Sequence, residues 1–141
     1  MSEAAQSSLN QPVASEPQAR IVVGYSSQPE GRAALSRALS EAKLRRAALV
    51  IVNTSPEVAA DDLVDQLAAS GTPYEIKTAT DGQDSAEELI RTAEATGADF
   101  IVIGLRRRSP VGKLLLGNNA QRVLLDAACP VLAVKAEPGS G

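Results

Sequence analysis

Five short apolar runs are spaced along this chain, and between them lie segments whose apolar residues return every three or four positions. The runs are Ile21 to Tyr25, Leu49 to Asn53, Tyr74 to Thr78, Phe100 to Ile103 and Val131 to Val134. Four are continuous apolar segments, as expected of strands buried on both faces, whereas the third, YEIKTAT, alternates and suits an edge or half-exposed position. The intervening segments place Ala34, Leu35, Ala38, Leu39 and Ala42 on one helical face, then Val58, Leu63, Val64 and Leu67. The same spacing follows in Ala86, Leu89, Ile90 and Ala93, and again in Ala120, Val123, Leu124 and Ala127. A βαβαβαβαβ pattern is satisfied by a parallel sheet with helices on both faces and right-handed crossovers. In strand order 3-2-1-4-5 the switch point lies between the first and fourth strands. The loops after Tyr25 and after Ile103 then face one another across one crevice, which is where such sheets bind ligands.

Local signals mark the helix starts. Ser55 before Pro56 offers a capping hydroxyl ahead of a first-turn proline, Asp84 with Glu87 resembles a capping box, and Asn118 with Gln121 makes a similar pair. Residues 1–19 and 136–141 are rich in Ser, Ala, Gln, Glu, Pro and Gly without apolar periodicity, and are predicted to be disordered tails around one domain, 20–135.

Composition removes several classes of function. With no Trp, one Phe and two Tyr, the chain has no stacking platforms for single-stranded nucleic acid. A net charge of −3 argues against a broad nucleic-acid or membrane footprint. One cysteine allows no intramolecular disulfide, and neither a secretory h-region nor a membrane-length apolar run is present, so a cytoplasmic protein is expected. Cys129, before Pro130, reads as a small buried hydrophobe. The absence of histidine removes the commonest general base and metal ligand, and neither a nucleophile elbow nor a Walker loop is found. No catalytic residue and no metal ligand is assigned, and the chain is not expected to be an enzyme.

Chemistry is concentrated in FIVIGLRRRSPVGKLLLGNNAQRVLLDAACPVLAVK. Here an apolar strand ends in Gly104, a loop carries Arg106, Arg107, Arg108 and Lys113, and Gly117 opens a helix. Helix N-termini present unpaired N–H groups and partial positive charge, so this arrangement predicts an anion site for a nucleotide phosphate. Alternatively, the glycines serve only close packing and the arginines only solvation.

These residues resemble the universal stress protein family of the UspA type, over essentially the whole of 20–135. That family's signature is Gly, two residues, Gly, nine residues, then Gly followed by Ser or Thr. The spacing is kept here by Gly104, Arg107, Gly117 and Asn118, and GADFIVIG and LLLGNNAQRVLLDAACPVLAVK are also family-like. The chain departs at Arg107, where the family has glycine, at Asn118, where it has Ser or Thr, and at Ser26, where ATP-binding members usually have Asp.

The resemblance implies a Rossmann-like, adenine nucleotide alpha hydrolase-like three-layer α/β sandwich with a five-stranded parallel sheet in order 3-2-1-4-5. It also implies a homodimer paired through the last strand, 130–135, and ATP or AMP as ligand, with Mg accompanying ATP. Backbone groups of Gly104, Gly117, Asn118 and Asn119 would cradle phosphates, with Ile103 and Ala120 beside them. Arg107 would add charge, while Gly24, Ser26 and Val52 would border the nucleoside. The reading is a regulatory stress-response module; the alternative is a similar dimer that has lost nucleotide binding and acts through protein partners. Slow ATP hydrolysis or autophosphorylation would need a base or metal cluster that the sequence lacks.

Overall fold

A computed structural model describes residues 19–54, 61–78, 85–105 and 117–136. Their elements run β1 (Arg20–Tyr25), α1 (Pro29–Arg45), β2 (Ala48–Asn53), α2 (Asp61–Ser70), β3 (Tyr74–Thr78), α3 (Ser85–Thr96), β4 (Phe100–Leu105), α4 (Asn118–Asp126) and β5 (Val131–Lys135). All strand pairings are parallel and the order is β3-β2-β1-β4-β5, as predicted. In register, Val22 of β1 lies between Val50 of β2 and Ile101 of β4.

Strand periodicity divides the core into two layers. On one face Ile21, Val23, Leu49, Ile51 and Val102 pack with Leu35 of α1 and Leu63 and Leu67 of α2. On the other, Val22, Val50, Val52, Ile101 and Ile103 pack with Leu89 of α3 and Val123 of α4. Ala34, Ala38 and Ala42 form the buried stripe of α1, so small side chains bring that helix close to the sheet. The three central strands are thus buried on both faces, as their unbroken apolar composition requires.

The edges behave differently. β3 is an edge strand whose residues are exposed or half-buried, in keeping with its alternating sequence. β5 is also continuous in apolar residues, yet as the other edge it is half-buried from Val131 to Val134. Continuity there reflects a sheet flank partly covered by helices, not burial on both faces.

Helix ends show how turns were chosen. Gly71 follows α2 and Gly97 precedes β4, with φ of +75° and +65°, a conformation that suits a residue without Cβ. α1 ends instead on Arg46 in the left-handed region, its N–H bonded to the Ala42 carbonyl. α4 begins at Asn118, so its N-cap is Gly117, with no side-chain hydrogen bond; the expected Asn118 cap is displaced by one residue. Ser55, Pro56 and Asp84 lie outside the described residues, as do 1–18 and 137–141, where the tails were expected. At the ends of the described sheet the Ala19 carbonyl accepts from Ala48 N–H, and Ala136 N–H donates to the Leu105 carbonyl.

One buried carboxylate stands on α1 beside the starts of β4 and β5. Glu41 accepts from Arg37 Nε at 2.9 Å and pairs with Arg45, whose guanidinium also lies over the Phe100 ring at 5.1 Å. The Arg37 hydrogen bond holds the Glu41 carboxyl below its ordinary range, against a burial effect that acts upward, with Arg45 adding to the lowering. A lowered folded-state value means a contribution present above the unfolded glutamate value of about 4.3 and lost as pH falls through the folded value. Glu41→Gln should therefore lower the urea midpoint at pH 7, with the gap from the unsubstituted protein narrowing in acid. A gap independent of pH would remove the ionised pair from the stability of α1.

Candidate functional site

The cleft at the carboxyl ends of β1 and β4 is built outward from two glycines. After Tyr25 the chain turns, and the Ser26 hydroxyl oxygen accepts from Gln28 N–H at 3.3 Å before Pro29 starts α1. A Cβ placed on Gly31 would lie 2.2 Å from Ser26 Oγ, and one on Gly104 would lie 1.9 Å from the Glu30 carbonyl oxygen. Neither approach is open to a residue with a side chain. Their absence lets the first turn of α1 rest on the end of β1 and against β4. Thr54 then ties in β2, since its N–H and its hydroxyl both donate to the Tyr25 carbonyl, at 2.8 and 3.0 Å.

This turn forms one wall of the cleft, with Ser26, Glu30, Gly31 and Thr54. The opposite wall is Ser85 and Leu89 of α3 with Asn119, Ala120 and Val123 of α4, and Gly24, Ile103 and Gly104 form the base. The Leu89 side chain presses on Gly24, 3.2 Å from where a Cβ would stand. The described walls enclose about 190 Å³, less than the about 300–1,000 Å³ of most small-molecule sites. The segment from β4 to α4, residues 106–116, lies outside the described residues.

Electrostatically the two walls are unlike. α4 has no acidic residue in its first turn and no side-chain cap, so its leading N–H groups and the positive end of its dipole are not offset by its own side chains. The other wall contributes Glu30, the only charged residue among the described lining residues. α4 is held to α3 by Arg122, which donates to Glu87 Oε1 at 3.3 Å while Arg91 donates to Oε2 at 2.8 Å. Arg91 and then Arg122 hold the Glu87 carboxyl below its ordinary range.

Six predicted site residues line the cleft: Gly24, Ser26, Ile103, Gly104, Asn119 and Ala120. Gly117 and Asn118 are exposed at the adjoining end of α4. Val52 stands apart, since its side chain is fully buried in the second core layer and Thr54 lines the cleft instead. Arg107 lies outside the described residues, together with Arg106, Arg108 and Lys113. Sequence reasoning missed Glu30, Gly31, Thr54, Ser85, Leu89 and Val123. A glycine in a helix's first turn, directly after the first strand, was the available signal for Gly31. Cys129 is half-buried outside the cleft, and burial, with the Asp99 charge adding to it, pushes its thiol up. Among the described residues no group of three or more His, Cys, Asp or Glu could hold a metal ion, and no helix is long and apolar enough to cross a membrane.

Gly104→Ala should destabilise the domain by about 1–3 kcal/mol, the usual cost of overpacking, because the added carbon meets backbone that must shift. An unchanged denaturation midpoint would show that the first turn of α1 yields freely.

A sequence model of the Universal stress protein family matches residues 57–135. A universal stress protein of Mycolicibacterium smegmatis is 44% identical over 126 residues, spanning 82% of this chain and 96% of the relative. A universal stress protein from Archaeoglobus fulgidus, solved in complex with dAMP, shares the fold with a TM-score of 0.59 at 21% identity, covering 84% of this chain and 98% of its own. Another, solved in complex with cAMP, superposes with a TM-score of 0.67 at 22% identity, covering 86% and 100%.

Proposed function

The chain belongs to the universal stress protein family, and from that premise we propose that it holds an adenine nucleotide in the cleft between β1 and β4 and acts through occupancy, not turnover. The observation that carries this reading is the placement of α4. Its uncapped first turn stands beside a cleft at the point where strand order reverses, so backbone N–H groups are available to phosphate next to an apolar slot made by Leu89, Ile103 and Val123. Structures of the same fold hold dAMP and cAMP, which supports an adenylate as the ligand class. Asn118 and Asn119 would meet the phosphates, with Arg107 adding charge. The described lining offers hydroxyls, amide and one carboxylate but no histidine, cysteine or lysine, a set suited to binding. The half-buried edge strand β5 is where two copies would pair, giving a regulatory dimer.

Gly117 gives the sharpest test of the site. Its φ of −74° suits any residue, and an added Cβ meets nothing within 4 Å among the described residues. Gly117→Val should therefore leave the domain folded at a cost of about 1 kcal/mol, since valine is a much poorer N-cap than glycine but meets no described neighbour. It should reduce nucleotide affinity at least about tenfold, because the new methyl groups stand where phosphate approaches the helix end. Unchanged affinity in the folded variant would take Gly117 out of the site.

Titration of the unfolding midpoint with Mg-ATP at matched ionic strength tests the function itself. At 100 times Kd one site contributes about 2.7 kcal/mol, a rise of about 8–15 °C for a domain of this size. No shift up to millimolar Mg-ATP would favour instead a dimer acting through protein partners. The engagement of the Ser26 hydroxyl with Gln28 N–H, in place of a carboxylate for the nucleoside, would then be its structural correlate.

A further inference from the structure

We propose that Glu30 is the specificity residue of the cleft: it reads the sugar hydroxyls of the bound nucleotide and so fixes the direction in which the ligand lies. The inference rests on the reading of the cleft as a nucleotide site, and it assigns a role to a residue on the wall opposite α4.

Glu30 is pinned where it stands. Its carbonyl lies on Gly104, where a Cβ would come within 1.9 Å, and the next residue, Gly31, is seated on Ser26 with a corresponding distance of 2.2 Å. The first turn of α1 cannot slide along the sheet without breaking both contacts, so residue 30 is held at the cleft wall. It is also the only charged residue among the described lining residues. A carboxylate in a partly dehydrated cleft repels phosphate strongly. Phosphate therefore belongs at the other wall, where the α4 first turn supplies N–H donors and carries no acid.

The part of a nucleotide that faces Glu30 must then donate hydrogen bonds. An adenine edge alternates its amino donor with ring-nitrogen acceptors, so a carboxylate set against it gains one bond and meets repelling lone pairs beside it. A ribose diol offers two neighbouring hydroxyls that rotate to donate, and both suit the two oxygens of one carboxylate. The Ser26 and Thr54 hydroxyls on the same wall extend this polar surface. Glu30 also lies in the first turn of α1, where its charge favours the helix. That structural role would affect every ligand equally, whereas sugar reading changes the ratio between ligands.

Isothermal titration of the full chain and of Glu30→Ala with ATP and with 2′,3′-dideoxy-ATP tests the proposal. The unsubstituted protein should prefer ATP by about tenfold, the effect of one charge-assisted hydrogen bond, and Glu30→Ala should bind both within about twofold. If the substituted chain keeps the tenfold preference, loses both ligands equally, or if the unsubstituted chain binds both alike, sugar reading by Glu30 is overturned while the nucleotide site stands. Binding of neither ligand by the unsubstituted chain overturns both readings. Should Glu30→Ala fail to fold, Glu30→Gln keeps an acceptor without the charge and must lower the preference at least about threefold; an unchanged ratio overturns the proposal.

Discussion

The close approach of the first turn of α1 to the ends of β1 and β4 governs the rest of this structure. Two missing side chains, at Gly31 and Gly104, permit it. Once the turn is seated, the Ser26 hydroxyl can bond Gln28 N–H and α1 can start at Pro29. Its alanine stripe then lies flat on one sheet face. The other face is left to α3 and α4, and the space between the seated turn and those two helices is the cleft. The position of the cleft and of its described walls is therefore a consequence of backbone packing.

The same arrangement separates charge. A helix beginning at the end of β1 brings its first-turn acid, Glu30, to one wall, while α4 begins without an acid or a side-chain cap at the other. The Arg122–Glu87 and Arg91–Glu87 contacts hold α4 beside α3, but they are partly exposed. Pairs of that kind contribute little stability. Their value lies in orientation: they join the helix carrying the free N–H groups to the helix that supplies Ser85 and Leu89, so that the whole wall is positioned as one unit.

The fold was legible in the sequence because strand burial writes itself directly into composition. Val22, Val50 and Ile101 face one helix layer while Val23, Ile51 and Val102 face the other, and only an unbroken apolar run satisfies both. β5 was harder, since a half-covered edge strand and a central strand can share the same residues. The base of the cleft was readable from Gly24, Ile103 and Gly104, at the ends of recognisable strands. Its walls were not. Leu89 and Val123 look like ordinary core positions of amphipathic helices, and Glu30 looks like a first-turn acid; only the packing of α1 against β4 reveals that all three border one space. Val52 shares its core layer with Leu89, Ile103 and Val123, which line the cleft, but it lies two residues before the end reached by Thr54 and is fully buried there, a difference of depth that an apolar run does not display.

The two glycines that frame the signature region call for separate explanations. At Gly104 the lack of a side chain is fully accounted for by the Glu30 carbonyl beneath it, so that glycine would be required in a domain with no ligand at all. Its presence is evidence for the fold and not for phosphate. Gly117 is the opposite case: its backbone is in an ordinary extended conformation, and none of the described residues fills the volume a side chain would take. Serine or aspartate there would cap α4 better than glycine does. Among the described residues, then, no packing requirement accounts for glycine at position 117, in contrast to position 104.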